Sequence, residues 1–163
     1  MSIRFQCVAC DRIRGMGKMI GGAALLAMAL IAWAQTPEKF DAKFHARLAP
    51  VGIDASMRAA VTGSGSVSAV LAGNQLSITG TFDGLQGPAT MAHVHQGVAT
   101  GVRGPAIGDL NVTRAPGGSI TGTLTLSAEQ VESLRKGKLY VQIHSEKAPD
   151  GNLWGWLLRQ EGR

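Results

Sequence analysis

The chain is short of cysteine, of aromatic residues and of clustered charge, and each shortage removes a class of protein. Its two cysteines, Cys7 and Cys10, both stand near the N-terminus, and none follows them. The body of the chain can form no disulfide, so its fold has to rest on an apolar core. Aromatic residues make up only 5% of the sequence. No run of Lys and Arg carries aromatics between its charges, which removes the usual nucleic-acid surface. There is no G-x-S-x-G, no pair of carboxylates at catalytic spacing, and no phosphate-cradling glycine loop leading into a helix.

What is present begins with a targeting pattern. Residues 19–34 (MIGGAALLAMALIAWA) form an apolar run, shorter than the ~20 residues of a membrane span. Arg4, Arg12, Arg14 and Lys18 precede it against a single acid, Asp11, and it ends in Ala32-Trp33-Ala34. That is the shape of a secretory signal peptide cleaved after residue 34, with Met16 an alternative start. The Cys7-x-x-Cys10 spacing, which elsewhere suggests metal or redox chemistry, falls inside the segment that is removed. The expected organisation is a signal peptide over 1–34, a short linker over 35–39 and one domain over 40–160. The product is expected to be exported, periplasmic or secreted, with no membrane span after cleavage. Of the 16 basic and 11 acidic residues, four and one lie before residue 35, so the net charge of +5 falls to 12 − 10 = +2.

The body alternates. Phe40, Ala42, Phe44, Ala46 and Leu48 share one strand face, and Asp41, Lys43, His45 and Arg47 the other, before Pro50 stops the ladder. Similar runs occupy 66–71, 76–82, 90–95, 109–113, 119–126, 139–144 and 153–158. Between them lie turn signals: Ala72-Gly-Asn-Gln75, a glycine-rich loop over 97–108, and Asp150-Gly151. One segment reads as helix. Ser127 is its N-cap, Gln130 completes a capping box, and Gly137 ends it. The pattern predicts an all-β fold, a Greek-key β-sandwich of about eight strands with one short helix in a crossover.

The chemistry concentrates in Met91-Ala-His-Val-His-Gln-Gly97. In a strand, His93 and His95 point to one face and Val94 to the core. In 139–144, Val141 and Ile143 are the natural core pair, which sends Tyr140, Gln142 and His144 to the opposite face. Neighbouring strands would bring three of the four histidines together. Neutral imidazoles suit copper or zinc. Trp154 and Trp156 share a phase opposite to Leu153, Gly155 and Leu157, so they form either an outward binding surface or, if the phase flips, part of the core. His45 reads as a lone solvated histidine.

Taken together, Ala92-His-Val-His-Gln-Gly97, Gly104-Pro105, Leu139-Tyr-Val-Gln-Ile-His-Ser145 and Pro149-Asp-Gly-Asn-Leu-Trp-Gly155 resemble the CHRD domain, named for chordin and also found in exported microbial proteins. The departures are small: Gln142 stands where Asn is common, and Asn152 and Trp154 replace an acidic and a basic residue. His93-Val94-His95 and Ile143-His144 are also similar to the copper-binding strands of copper/zinc superoxide dismutase, itself a Greek-key β-sandwich. No histidine lies between His95 and His144, so the bridging and zinc ligands of that family are absent, and with them a bimetallic site. The resemblances imply an exported CHRD-domain binding or interaction module. Its partner in the cell envelope would be a protein or a metal ion. Copper is the candidate ion, and His93, His95 and His144 its ligands. Tyr140, Gln142, Trp154, Trp156 and Arg103 would form the second shell or binding surface. The alternatives are a dedicated copper-binding protein and, with least support, a copper-only superoxide-dismutase-like oxidoreductase. The last lacks an evident supporting carboxylate and has only Arg103 as a guiding cation.

Overall fold

The structure is a computed structural model that describes residues 42–50 and 55–161. The signal-peptide and linker segments, and Phe40 and Asp41, lie outside the described residues. Nine strands and one α-helix follow in order: β1 Ala42–Pro50, β2 Ser64–Ala72, β3 Gln75–Asp83, β4 Ala89–Gln96, β5 Ala106–Val112, β6 Gly118–Thr125, α1 Ala128–Arg135, β7 Leu139–Ser145, β8 Ala148–Trp156 and the two-residue β9 Leu158–Arg159. No described helix is long and apolar enough to cross a membrane.

Period-2 alternation explains most of this. In β1, Ala42, Phe44, Ala46 and Leu48 are buried while Lys43, His45 and Arg47 are exposed. Val67, Ala69 and Leu71 of β2, Leu76, Ile78 and Phe82 of β3, and Ile120 and Leu124 of β6 meet them. From the other side come Ala92, Val94, Leu110, Val141, Ile143, Leu153 and Leu157. His45 is solvated, as its phase predicts.

All strand pairs are antiparallel, and eight strands close into a ring in the order β1-β2-β3-β6-β5-β4-β7-β8, back to β1. Pairing is extensive within two groups. One holds β1, β2, β3 and β6, and the other β5, β4, β7 and β8. The groups join at two short seams. Ala49 and Pro50 of β1 pair Trp154 and Leu153 of β8, and Asn111 and Val112 of β5 pair Thr121 and Ile120 of β6. The all-β class, the strand number and the single helix agree with the sequence. The closed ring goes beyond the two separate sheets of the expected sandwich. It arises because β1 is long enough to pair β2 along its length and β8 at its end.

Helix α1 carries the connection from β6 to β7. The Ser127 hydroxyl accepts from the Gln130 backbone N–H at 3.2 Å, and the Gln130 side chain accepts from the Ser127 N–H at 2.8 Å. Buried Leu134 ties the helix to the core.

Three differences from the sequence reading bear on the site. Strand β5 begins at Ala106, inside the expected glycine-rich loop. The turn before β8 falls at Glu146 and Lys147, not at Asp150-Gly151, which lie within β8. There Gly151 adopts φ +131°, which an L-residue avoids and which gives the strand a bend in place of a turn. The third difference concerns burial. Strand β7 is buried on both faces along most of its length, with Tyr140 at 1% and Gln142 at 2% exposure on the side away from the core.

Replacing a residue of the inner layer, Ile143→Ala, is expected to cost about 2–5 kcal/mol, because the cavity cannot collapse within a closed ring. Ser127→Ala removes one half of the capping box and is expected to cost about 1 kcal/mol. Denaturant unfolding of the two variants measures both.

Candidate functional site

The outer face of β4 and β7 carries the site. Across this face the register aligns Asp109 of β5, His93 of β4, Gln142 of β7 and Trp154 of β8 in one row. The next row holds His95, Tyr140 and Trp156. His144 pairs Met91 on the other side of His93. Strand phase thus brings the three histidines onto one patch, as the sequence implied.

The imidazole centroids of His93 and His95 lie 5.9 Å apart, and those of His93 and His144 lie 5.3 Å apart. With metal–nitrogen bonds of ~2.0–2.1 Å, a ring centroid sits ~3.2 Å from an ion it ligates. Two such rings then stand ~5.2–5.5 Å apart at tetrahedral to trigonal angles. The His93–His144 spacing falls within that range, and the His93–His95 spacing lies just beyond it. Among the described residues, no three His, Cys, Asp or Glu side chains stand gathered as a finished metal site, so an ion would have to draw the rings inward by side-chain rotation.

Each ring is held by its Nδ1. His95 Nδ1 is 3.0 Å from the Gly104 carbonyl, His144 Nδ1 is 2.7 Å from the Pro149 carbonyl, and His93 Nδ1 is 2.9 Å from an Asp109 carboxylate oxygen. A carbonyl or an ionised carboxylate only accepts, so in the neutral rings Nδ1 carries the proton and Nε2 the lone pair. The Nε2 atoms of His95 and His144 are buried and have no hydrogen-bond partner. Carboxylate or carbonyl support on the far nitrogen is also how histidine ligands are oriented in metal sites. Asp109 is a residue that sequence reasoning missed, and it sets a carboxylate against the His93 ring. Its signal was the hairpin register from β4 to β5, which cannot be counted before the intervening loop is known.

Burial lowers the pKa of His95, the Gly104 hydrogen bond opposes this, and the positive charges of His93, His144 and Arg103 lower it further. His144 is lowered for the same leading reason, burial, with the Pro149 hydrogen bond opposing.

Residues 97–105 close over the lower row. The Gly104 N–H donates to the Tyr140 hydroxyl and the Gly104 carbonyl faces the same hydroxyl, both at 3.2 Å. A Cβ at Gly104 would overlap the Gln96 carbonyl oxygen, so only glycine lets the loop approach this closely. The Tyr140 ring stacks on His95 at 4.8 Å and on Trp154 at 5.6 Å, and meets Trp156 at 4.4 Å. The Arg103 guanidinium lies 4.3 Å above the Trp154 ring and donates to the Asp150 carbonyl at 2.9 Å. Gln142 donates to the same carbonyl at 2.9 Å. Tyr140, Gln142 and Trp154 are therefore on the outer side, as their phase predicts, yet dry. Trp156 is half-buried, and the two indoles form neither an open surface nor part of the inner core. Asn152 spans β8 and the β1–β2 connection. It accepts from Ser145 Oγ at 3.2 Å and donates to the Thr62 carbonyl at 2.7 Å.

Two outcomes follow. Gly104→Ala is expected to lift the loop, exposing Tyr140 and Trp154 and raising the accessibility of tryptophan fluorescence to acrylamide. The second concerns pH. The folded pKa values of His95 and His144 lie below the usual 6.5, so the unfolded chain takes up protons first on acidification. Stability should fall from about pH 6.5 downward. Replacing both residues by Gln should flatten that part of a plot of unfolding midpoint against pH.

Neither the curated proteins nor the solved structures yield a match to this chain. The family model of the CHRD domain matches residues 46–157. That span runs from within β1 to the end of β8 and contains all of the ring except the first residues of β1, with the three histidines, the loop over them and the Gly151 bend. The chain belongs to the CHRD domain family.

Proposed function

We propose that the protein is an exported CHRD-domain binding module whose outer-face histidines His93, His95 and His144 hold one copper ion, for buffering or transfer in the cell envelope. A binding or interaction role is consistent with the family, and copper is the ligand the site favours. The observation that carries this reading is the pair of buried, unpartnered Nε2 lone pairs on His95 and His144. A buried polar atom without a partner costs about 1–3 kcal/mol, and a cation drawn in between these two atoms and the His93 imidazole would satisfy both. Divalent copper binds such nitrogen donors more tightly than zinc does. The lowered pKa values favour the neutral rings that a metal requires. Export rests on the arginine-flanked apolar run ending at Ala34.

The connectivity supports reading the ring as a Greek key. Strands β4, β5 and β6 follow in succession and β7 returns beside β4. An oxidoreductase of the copper-only dismutase kind is the second reading. Asp109 on His93 and the Arg103 charge near the patch favour it.

Copper and zinc titrations of the chain carrying Cys7→Ser and Cys10→Ser test the proposal, since those cysteines could bind metal by themselves. One equivalent of copper is expected, with affinity lowered about tenfold or more by His93→Ala or His144→Ala. Absence of stoichiometric binding, or binding indifferent to both substitutions, removes the copper reading and leaves the interaction module. A superoxide assay on the loaded protein separates storage from catalysis.

A further inference from the structure

The outer face of β4 does not end at the histidines. Met91 lies two residues before His93 and shares its side of the strand. Its Cα partner across the β4–β7 ladder is His144. Directly opposed side chains have Cβ atoms about 4.5–5.5 Å apart, so the Met91 thioether starts beside the His144 ring. With three rotatable bonds it can swing toward any point between His144 and His93. Met91 is 49% exposed. Together with His93, Asp109 and Arg114 it lines a pocket of about 330 Å³ between β4 and β5, of which His95 and His144 are not part.

We propose that the Met91 sulfur is a fourth, soft arm of the site and makes it selective for monovalent copper. This rests on the copper reading above. Imidazole accepts either oxidation state of copper and also zinc, whereas a thioether discriminates in favour of Cu(I). The charge balance agrees. Three imidazoles and a thioether are neutral, the one carboxylate in contact with the rings is Asp109, and at longer range the Arg103 charge acts on His95 and His144 and is opposed at His144 by that of Asp150. A site with so little negative charge holds a singly charged ion at less electrostatic cost than a doubly charged one. No cysteine lies beyond residue 10. Among the described residues the only sulfur besides Met91 is Met57, in a short 3-10 turn between β1 and β2.

The test uses the full chain with Cys7→Ser and Cys10→Ser, loaded with Cu(I) without oxygen and competed against a chromogenic Cu(I) chelator. Met91→Leu keeps the apolar bulk and removes the sulfur. Because the position is half exposed, the variant should unfold at the same denaturant concentration as its parent, which is measured alongside. The expected result is a loss of Cu(I) affinity of about tenfold or more, with Cu(II) and Zn(II) affinities essentially unmoved. In a second readout, Ag(I) should shift the ε-methyl resonance of Met91 and leave that of Met57 in place. Unchanged Cu(I) affinity in Met91→Leu, while His93→Ala still abolishes binding, overturns the role of Met91 and leaves the histidine site standing. Equal weakening of Cu(I) and Cu(II) also overturns it, since selectivity is the claim. If the unsubstituted chain binds no copper, the histidine site falls and Met91 falls with it.

Discussion

The Gly104 backbone is the contact on which the outer face of the barrel depends. Its carbonyl faces both the His95 imidazole and the Tyr140 hydroxyl, and its N–H donates to that hydroxyl. Because these groups meet one peptide of a loop and not water, the far side of β7 becomes a second interior. A strand buried on both faces is commonly a run of aliphatic residues. Here the second interior contains a tyrosine, a glutamine, an indole and imidazoles, so every polar atom needs a named partner. Most have one. The exceptions are His95 Nε2, His144 Nε2 and Trp154 Nε1.

The support of the rings is distributed over the fold. His95 is oriented by the loop, His144 by the first residues of β8 and His93 by β5. None of the three rings is fixed by its own strand. Strands β4 and β7 set the spacing of the imidazoles, and the elements packed on them set which nitrogen is free. The bend at Gly151 belongs to this arrangement. A Cβ there would overlap the Gln142 amide and come within 2.9 Å of the Trp154 indole nitrogen, so the β8 backbone can carry Pro149 and Asp150 over the patch only with glycine at that position.

Much of this was legible in the sequence, and the limits have physical reasons. Alternation is a local property, so the phases of β1, β4 and β7, and the shared face of His93, His95 and His144, could be read directly. The capping box of α1 is equally local, and the family motifs tied the separate pieces into one domain. Alternation names two faces of a strand but not what covers the outer one. For that reason Tyr140 and Gln142 read as surface residues and Trp154 and Trp156 stayed ambiguous. Asp109 could not be placed from the sequence, because its position beside His93 depends on how many residues the loop before β5 consumes. Asp150-Gly151 has turn composition, yet long-range pairing of β8 with β7 absorbed it into a strand.

The closed ring also decides how a partner can be met. A sheet with a bare edge can recruit a peptide as one more strand, through backbone hydrogen bonds and with little regard to sequence. In this barrel each of the eight ring strands is paired on both sides for at least part of its length. An incoming strand would find free backbone only beside the two short seams, where β5 meets β6 and β1 meets β8 over two residue pairs each. Along β2, β3, β4 and β7, which are paired on both sides over at least half of their length, contact falls to side chains on the faces and loops, where a few residues can be tuned without disturbing the ladder. That restriction gives a disulfide-free barrel protection against indiscriminate strand pairing with its neighbours.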